Sequence, residues 1–408
     1  MANLITGLDI GSHSIKAVVV EKKKNGQLAL LKLIKMPSSG MRRGAVDDPQ
    51  EVTRSVAQVI AEIKSVSKSA ARNIYLGVGS PDFRIQKTNG VVAVSRADSE
   101  IHRDDIERVT EAAQAVKFPL NRMPIHFILQ EFIVDGVPGI KDPLGMVGNR
   151  LEVVGLIVDA FAPSIKGLSR CVENAGGSIS GLIFSPLAVS RMILSRNQKD
   201  LGVVVVDIGF GKTGISVYEE NKLLHSAVCP SGSGNVTNDL AVRLKASVIA
   251  AESIKLSLGS ALAKQVPARE TIELAKYDAL AKGSATRRII AETIELRLAE
   301  ILEFVNNELK YINKLNHLPG GVMIVGGGAK LPAMADLARQ ELRLSAQIGV
   351  PNLSSFDLNS CDSASQAEDP EWSCAFGLVL SSLDQARESS GSKLGTGLFK
   401  KILQSFLP

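Results

Sequence analysis

The sequence predicts an α/β fold made of two related halves. Residues 4–20 and 203–218 follow the same pattern: an apolar run, Asp-Ile-Gly, a short turn of small residues and a second β-branched run. In both places a polar turn and a third apolar run follow, which is typical of a three-stranded meander. The copies start about 200 residues apart, whereas a solenoid repeats every 20–50 residues. The spacing therefore indicates a duplicated unit.

Helical and strand-like segments alternate between and after these meanders. In the first half the spacing of apolar residues predicts helices over 49–68, 103–117 and 162–175, and strands over 73–78, 91–94, 125–134 and 151–159. In the second half it predicts helices over 236–244, 250–258 and 286–315, and a strand over 321–325 that runs into three glycines. Alternating strands and helices favour the α/β class.

Composition and charge exclude several classes of protein. The 408 residues are 45% hydrophobic, which predicts two to four packed units and excludes disorder of the whole chain. A net charge of +5 without a clustered basic face predicts no nucleic-acid partner. The four cysteines lack CxxC spacing, which argues against structural zinc or a disulfide scaffold. The start lacks a basic signal-peptide region and no apolar run reaches membrane-spanning length, so we expect a reducing, cytoplasmic setting.

The second glycine-rich turn resembles two nucleotide motifs, but its context excludes both. Residues 209–214 match GxGxxG after a strand, yet a hairpin follows instead of the helix that a dinucleotide site requires. Gly211-Lys212-Thr213 resembles the end of a P-loop, but Val206 stands where that motif requires glycine.

The two turns taken together favour a different kind of nucleotide site. In each copy an aspartate, Asp9 or Asp207, ends a predicted buried strand and is followed by small residues. Backbone N–H groups in such turns can bind phosphate oxygens, and the carboxylates can hold Mg²⁺ through water molecules. Two facing hairpins and the strand leading to Gly326 would then enclose a triphosphate. The alternative is that each aspartate only caps its own hairpin.

Three segments, LDIGSHSIKAVVV, VVVVDIGFGKTGISV and MIVGGGAKLPAM, resemble the phosphate and adenosine elements of the actin, heat-shock chaperone and sugar-kinase superfamily. Within it, almost the whole chain is similar to the FtsA family of bacterial cell-division proteins. Residues 129–153 resemble that family's extra subdomain, and residues 229–241 and 251–258 support the likeness. The PilM family of pilus-assembly proteins has a similar core and fits residues 9–16 equally well, whereas residues 129–153 favour FtsA.

The resemblance implies an actin-like (ribonuclease H-like) duplicated core with an extra FtsA-type subdomain in the first half. The implied divisions are subdomain 1A over 1–83, 163–190 and 351–383; the extra subdomain 1C over 84–162; subdomain 2A over 191–245 and 311–350; subdomain 2B over 246–310; a flexible linker over 384–396; and an amphipathic helix over 397–408.

The resemblance also implies nucleotide-binding residues. The first phosphate turn would comprise Asp9, Gly11, Ser12 and Lys16, and the second would comprise Asp207, Gly209, Gly211 and Thr213. Gly232 and Gly234 would approach the nucleotide, Glu252 and Lys255 would contact the ribose or adenine, and Gly326, Gly327 and Gly328 would pack under the base. The implied ligands are ATP and Mg²⁺, the latter near Asp9 and Asp207. Alternatively, Lys16 and Lys255 are solvated lysines, and His13 is expected to be a turn residue only.

The chain departs from its chaperone relatives where hydrolysis would require acids. Phe210, Lys212 and Gly214 replace a glycine, a threonine and an aspartate of the second turn, and Ser185-Pro186 replaces a Glu-Pro pair. Hydrolysis needs a positioned group to orient water. We therefore expect ATP to be a structural ligand and the protein to be at most a slow ATPase, with Lys212 placing a charge near the phosphates.

The end of the chain has the pattern of a membrane-surface helix. Its apolar face and two lysines comprise the residues expected to contact the membrane: Leu398, Phe399, Lys400, Lys401, Ile402, Leu403, Phe406 and Leu407. Such a helix can lie in the interface with its lysines at anionic head groups. Docking on its own domain is the alternative, but the polar stretch before it favours the membrane.

These observations and the resemblance lead to one functional hypothesis with two competitors. The FtsA likeness implies an ATP-binding protein that anchors FtsZ polymers to the cytoplasmic face of the membrane at the septum, and that helps recruit later division proteins. It also implies binding of the FtsZ C-terminal peptide near residues 246–310 and head-to-tail filaments, with Arg287 and Arg288 either pairing with partner acids or lying solvated. The competitors are a PilM-like scaffold and a small-molecule kinase, which would need a base that we do not find at the turns.

Overall fold

The computed structural model describes residues 3–391, except residues 280 and 362. The first half contains β1 (Asn3–Ile10), β2 (Ser14–Lys22), β3 (Leu28–Pro37), β4 (Met41–Arg42), β5 (Ala45–Val46), α1 (Pro49–Val66), β6 (Ile74–Val78), β7 (Arg84–Ala93), α2 (Arg103–Gln114), β8 (Arg122–Val134), β9 (Val137–Ile140), β10 (Arg150–Phe161), α3 (Ala162–Asn174), β11 (Ile179–Phe184) and α4 (Ser185–Ile193).

The second half follows, and the chain then returns to the first. The elements are α5 (Arg196–Leu201), β12 (Val203–Ile208), β13 (Thr213–Glu219), β14 (Lys222–Cys229), α6 (Ser233–Leu244), α7 (Val248–Leu258), β15 (Thr271–Glu273), β16 (Ser284–Thr286), α8 (Arg287–Tyr311), β17 (Val322–Val325), α9 (Met334–Leu342), β18 (Ala346–Ile348), β19 (Phe356–Asp357) and α10 (Ser373–Gly391). Short 3₁₀ helices cover Ala70–Arg72, Ala263–Gln265, Leu274–Lys276, Gly327–Lys330, Leu353–Ser355, Ala364–Gln366 and Pro370–Trp372.

The two halves are built on sheets of the same topology. Within the described residues, one sheet has the order β11-β6-β1-β2-β3-β19 and the other has the order β14-β13-β12-β17-β18. In each, an antiparallel meander (β1–β3 or β12–β14) continues from its first strand into parallel neighbours, β6 and β11 or β17 and β18. The duplicated core predicted from the repeated pattern is confirmed.

Local sequence signals explain why the flanking helices form. Helix α1 begins after Asp48, whose carboxylate accepts hydrogen bonds from the Gln50 and Glu51 amides, and Pro49 occupies its first position. Its buried residues recur at helical spacing and pack into the core beside β1 and β2: Val52, Val56, Val59, Ile60 and Ile63. A second core lies around α6, α8 and α9 in the second half. A third core joins both halves through α4 and α10.

An antiparallel sheet is inserted between β6 and α3. Within the described residues its order is β7-β10-β8-β9, and α2 packs on it around Val109, Phe132 and Leu151. The partly buried Arg122 and the buried Asp159 form an ion pair where this sheet joins the first half. Strand β7 is longer than the predicted 91–94 strand because its first residues are mostly polar, which hides the strand pattern.

The end of the described chain corrects one prediction. Residues 384–391 were expected to begin a flexible linker, but they are the last turns of α10. This helix packs against α4 and β1 through buried Phe376 and Val379, and it continues to Gly391 although serine and glycine are individually poor helix formers. The rest of the predicted linker and the amphipathic segment over 397–408 lie outside the described residues. No helix in the described part of the chain is long and apolar enough to cross a bilayer.

Candidate functional site

The first predicted phosphate turn joins β1 to β2. Asp9 is the penultimate residue of β1 and lies opposite Lys16 of β2 in the antiparallel register. The Gly11 amide donates a hydrogen bond of 3.2 Å to the Ser14 carbonyl, which closes the turn. A Cβ on Gly11 would lie 2.8 Å from that same oxygen, so the turn requires glycine.

The second turn has the same construction between β12 and β13. Asp207 is again the penultimate residue of its strand, and the Gly209 amide donates a 2.9 Å hydrogen bond to the Lys212 carbonyl. The buried hydroxyl of Thr213 donates to the Ser231 carbonyl at 2.8 Å. The Thr213 hydroxyl thus holds the turn against the segment before α6.

The two turns meet across the junction of the halves. A Cβ on Gly211 would lie only 2.6 Å from Ser12 Oγ, so the second turn reaches the first through a glycine. The start of α6 packs on the second turn: the Gly234 amide donates to the Phe210 carbonyl at 2.7 Å. A Cβ on Gly232 would lie 2.5 Å from the Gly209 carbonyl oxygen. Small residues therefore allow three backbone segments to approach each other here.

The three consecutive glycines after β17 have different surroundings. Gly326 has φ of +82°, and a Cβ there would lie 2.3 Å from Asp207 Oδ1. A Cβ on Gly328 would lie 2.4 Å from Ile208 Cγ2, whereas a Cβ on Gly327 would meet nothing within 4 Å. Gly326 and Gly328 pack against the end of β12, and Gly327 faces open space.

Glu252 and Lys255 connect α7 to the start of α6. The Lys255 ammonium donates to Glu252 at 2.7 Å, to Thr237 Oγ1 at 2.8 Å and to the Ser233 carbonyl at 3.2 Å. Lys255 is 3% exposed, and the Lys16 side chain is also largely buried. The alternative that these two are solvated lysines is therefore wrong.

The aspartates and lysines of the two turns influence one another electrostatically. Burial and the neighbouring Asp9 carboxylate raise the pKa of Asp207 to about 6, while the ammonium groups of Lys212 and Lys16 act in the opposite direction. The same carboxylates act on Cys374 at the start of α10: burial raises the pKa of its thiol well above the usual value, and Asp9 and Asp207 add to this effect. These five groups therefore lie close enough to influence one another at the junction of the two turns, and this region is called the cleft below.

Several contacts in the cleft carry no recognisable sequence signal. The centroid of the Phe210 ring lies 4.8 Å from that of the His13 ring and 5.5 Å from the Lys255 ammonium. His13 therefore contacts the opposite half as well as forming its turn. Glu371 lies 3.9 Å from the Lys16 ammonium, and Lys330 pairs with both Glu371 and Asp369. These contacts come from distant parts of the chain, so no local motif could have identified them.

The structure thus brings the predicted site residues of both halves into one connected cleft. The turns meet at Ser12 and Gly211, α6 and α7 join through Lys255, and Gly326 covers Asp207. Their contact with a nucleotide remains a prediction. The predicted membrane-contacting residues lie outside the described residues.

Comparison with known proteins supplies independent information. Residues 204–377 match the family described as Cell division protein FtsA, and residues 81–158 match the SHS2 domain inserted in FtsA. The Cell division protein FtsA of Bacillus subtilis is 33% identical over 401 residues, which cover 98% of this chain and 88% of that protein. The Pseudomonas aeruginosa protein of the same name is 32% identical, with 85% and 83% covered.

Solved structures support the fold at lower sequence identity. A PilM-PilN type IV pilus biogenesis complex has a TM-score of 0.64 at 20% identity, covering 92% of this chain and 98% of that chain. MreB5 of Spiroplasma citri bound to ADP has a TM-score of 0.56 at 10% identity, covering 95% and 99%. Together with the SHS2 match, these likenesses confirm the actin-like fold with an inserted subdomain in the first half.

Proposed function

The chain belongs to the FtsA family of bacterial cell-division proteins, and from that premise we propose that it is an ATP-binding, actin-like protein that anchors FtsZ polymers to the membrane. It acts at the cytoplasmic face of the division septum and helps recruit later division proteins. The observation that carries this proposal is the cleft in which two strand-ending aspartates and two glycine turns converge. A PilM-like scaffold has the same fold, but the family match favours cell division.

The cleft suits a nucleotide because its backbone segments converge without side chains between them. Glycines at 11, 209, 211, 232, 234 and 326 keep side chains away from the places where the turns and α6 approach one another. The amides of Ser12, Phe210 and Gly211 have no acceptor among the described residues, and turn amides of this kind are favourable for phosphate oxygens. The first amides of α6 already donate to carbonyls of the second turn. We assign the phosphates to the two turns, the base to the Gly326–Gly328 side, and the ribose or adenine to Glu252 and Lys255.

Asp9 and Asp207 are the side chains that could hold Mg²⁺ through water molecules. The carboxylate oxygen of Asp207 is approached by Gly326, which lacks a side chain that would fill the space beside it. Such a hard cation prefers carboxylate and water oxygens and would neutralise phosphate charge. The described residues contain no group of three or more side chains able to form a direct protein cage for a metal ion.

The side chains around the cleft support at most slow hydrolysis of ATP. Ser185 begins α4 where chaperone relatives place a glutamate, and a Cβ on Gly214 would lie 3.4 Å from Pro186. Neither position supplies a carboxylate to orient a water molecule. Bound ATP then acts mainly by holding the two halves in one arrangement.

The FtsZ C-terminal peptide is assigned to a groove between α6 and α8. The groove has a volume of about 500 Å³ and is lined by Asp239, Val242, Arg243, Ile289, Glu292, Thr293, Leu296, Arg297 and Glu300. Val242 and Leu296 are 79% and 69% exposed, which is unusual for such side chains. Arg297 pairs with Asp239 and Glu300, whereas Arg243 forms no ion pair with a described residue. The groove thus offers apolar contacts and one available guanidinium.

Arg287 and Arg288, which were expected either to pair with acids on a partner or to lie solvated, form ion pairs within the chain instead. Arg287 pairs with Glu270 at 3.0 Å and donates to the Leu258 carbonyl, and Arg288 pairs with Glu292 at 3.4 Å. Both are therefore engaged within the chain. We do not assign them to the peptide.

The proposal is tested by sedimentation with vesicles and FtsZ filaments in the presence of ATP. The full chain is expected to pellet with vesicles containing anionic lipid and to bring FtsZ with it, because the terminal segment lies in the interface. A variant lacking residues 394–408 is expected to remain in the supernatant with vesicles alone, yet still bind ATP and FtsZ filaments. Equal pelleting of both proteins would exclude the terminal anchor, and indifference to FtsZ would exclude the anchoring function.

A further inference from the structure

Lys212 extends from the second phosphate turn to the opposite half of the molecule. Its ammonium donates a hydrogen bond to the carbonyl of Gly79, which follows β6. Its aliphatic part passes the β4–β5 hairpin, where a Cβ on Gly44 would lie 2.8 Å from Lys212 Cδ. The positive charge of this turn is therefore held at the junction of the halves, between two glycines that leave room for it.

The charge of Lys212 is not cancelled by a direct partner. Its hydrogen-bond acceptor is a neutral carbonyl, and it forms no ion pair within 4.0 Å with any described residue. The other lysine of the cleft differs, because Lys16 lies 3.9 Å from Glu371. Lys212 thus contributes a net positive charge to the cleft, where its ammonium acts against the raised pKa of Asp207.

A fixed ammonium here has two opposite electrostatic effects. It repels a divalent cation bound by water to Asp9 and Asp207, since like charges in a partly buried cleft are weakly screened. It also attracts the phosphates of a nucleotide, which a lysine can bind as a point charge. Both effects shift the neutralisation of phosphate charge from a bound metal ion to the protein.

We propose that Lys212 supplies at the nucleotide phosphates much of the positive charge that a divalent cation would otherwise supply, so that nucleotide binding depends only weakly on Mg²⁺. The inference rests on the proposed nucleotide binding and specifies how its phosphates are recognised. It gives Lys212, which replaces a threonine of the chaperone relatives, a specificity-determining role.

The test compares the Kd for ATP, measured by calorimetry on the full chain, in Mg²⁺ and in a chelator. For the unaltered protein we expect the two values to agree within about threefold. For Lys212→Met we expect binding in the chelator to weaken by about tenfold or more and to recover largely when Mg²⁺ is added. Lys212→Arg keeps the charge and is expected to retain weak Mg²⁺ dependence, and Lys264→Met, an exposed lysine outside the cleft, is the matched control.

A second measurement does not need the nucleotide. Mn²⁺ binding to the protein alone, followed by electron paramagnetic resonance, is expected to be tighter in Lys212→Met than in the unaltered protein. Loss of ATP binding by the unaltered protein in chelator would overturn the inference while leaving the proposed function intact. Absence of ATP binding with and without Mg²⁺ would overturn both. If Lys212→Met does not fold, Lys212→Gln removes the charge while keeping a donor for the Gly79 carbonyl, and weak Mg²⁺ dependence in that variant would overturn the inference.

Discussion

Single residues show where local motifs suffice and where they do not. Asp9 and Asp207 could be predicted because each stands in a motif, at the end of an apolar run and before a glycine. Glu371 and Cys374 could not, because they reach the cleft only when α10 packs against the first half. Gly326 and Gly327 look identical in the sequence, and only the tertiary structure shows that one lies against Asp207 and the other faces open space.

Substitution of these two glycines is expected to have unequal effects. Gly326→Ala places a Cβ 2.3 Å from the Asp207 carboxylate in a backbone conformation with φ of +82°. The strain should lower the free energy of unfolding by about 1–3 kcal/mol, and displacement of Asp207 should weaken ATP binding by about tenfold. Gly327→Ala is the matched control for stability and should leave the free energy of unfolding close to wild type, because a Cβ there would meet nothing within 4 Å. Thermal melting and ATP titration measure the effects, and equal behaviour of the two variants would contradict the assignment.

At the scale of elements, the meanders were predictable because their signals are local. Three apolar runs separated by tight turns specify antiparallel pairing between neighbours in the sequence. The pairing of the parallel strands could not be predicted in this way, because their partners lie far away in the chain. These strands are β6, β11, β17 and β18. The order β7-β10-β8-β9 of the inserted sheet is likewise set by tertiary pairing, which a propensity pattern does not contain.

Substitutions in the groove between α6 and α8 are expected to weaken binding of the FtsZ peptide. Leu296→Ser removes an exposed apolar side chain, and Arg243→Ala removes the available guanidinium. Each variant is expected to weaken binding of a peptide with the FtsZ C-terminal sequence by about fivefold or more, because central apolar and arginine contacts dominate such interfaces. Fluorescence anisotropy of the labelled peptide measures the loss.

Leu201 provides a control for the position of the substituted leucine. Leu201 at the end of α5 is 59% exposed and lies outside the groove. Leu201→Ser should bind the peptide like the unaltered protein, and none of the three variants should lose thermal stability, since each altered side chain is mainly exposed. A peptide affinity unchanged by Leu296→Ser and Arg243→Ala would place the FtsZ site elsewhere.

At the scale of the whole molecule, the two halves contribute different exposed apolar surfaces. The α7 patch comprises Val248, Ile249 and Leu256, which are 52%, 81% and 73% exposed. The insertion patch comprises Val137, Leu144, Met146 and Val147, which are 38–71% exposed. Exposed apolar clusters of this kind mark interaction sites. Because the patches differ, contact between them would be heterologous and could propagate into an open filament.

We expect filaments to form through contact between the α7 patch and the insertion patch. Ile249→Glu should reduce ATP-dependent assembly on vesicles several-fold, because a carboxylate would be desolvated at the contact, and Val147→Glu should do the same from the other side. Mixing the two variants should restore dimers but not filaments, since one intact α7 patch can still meet one intact insertion patch. Val350→Glu, at a residue 55% exposed and outside both patches, is the control. Light scattering and electron microscopy measure assembly, and analytical ultracentrifugation detects the mixed dimer. Normal filaments from either single variant would show that these patches do not form the head-to-tail contact.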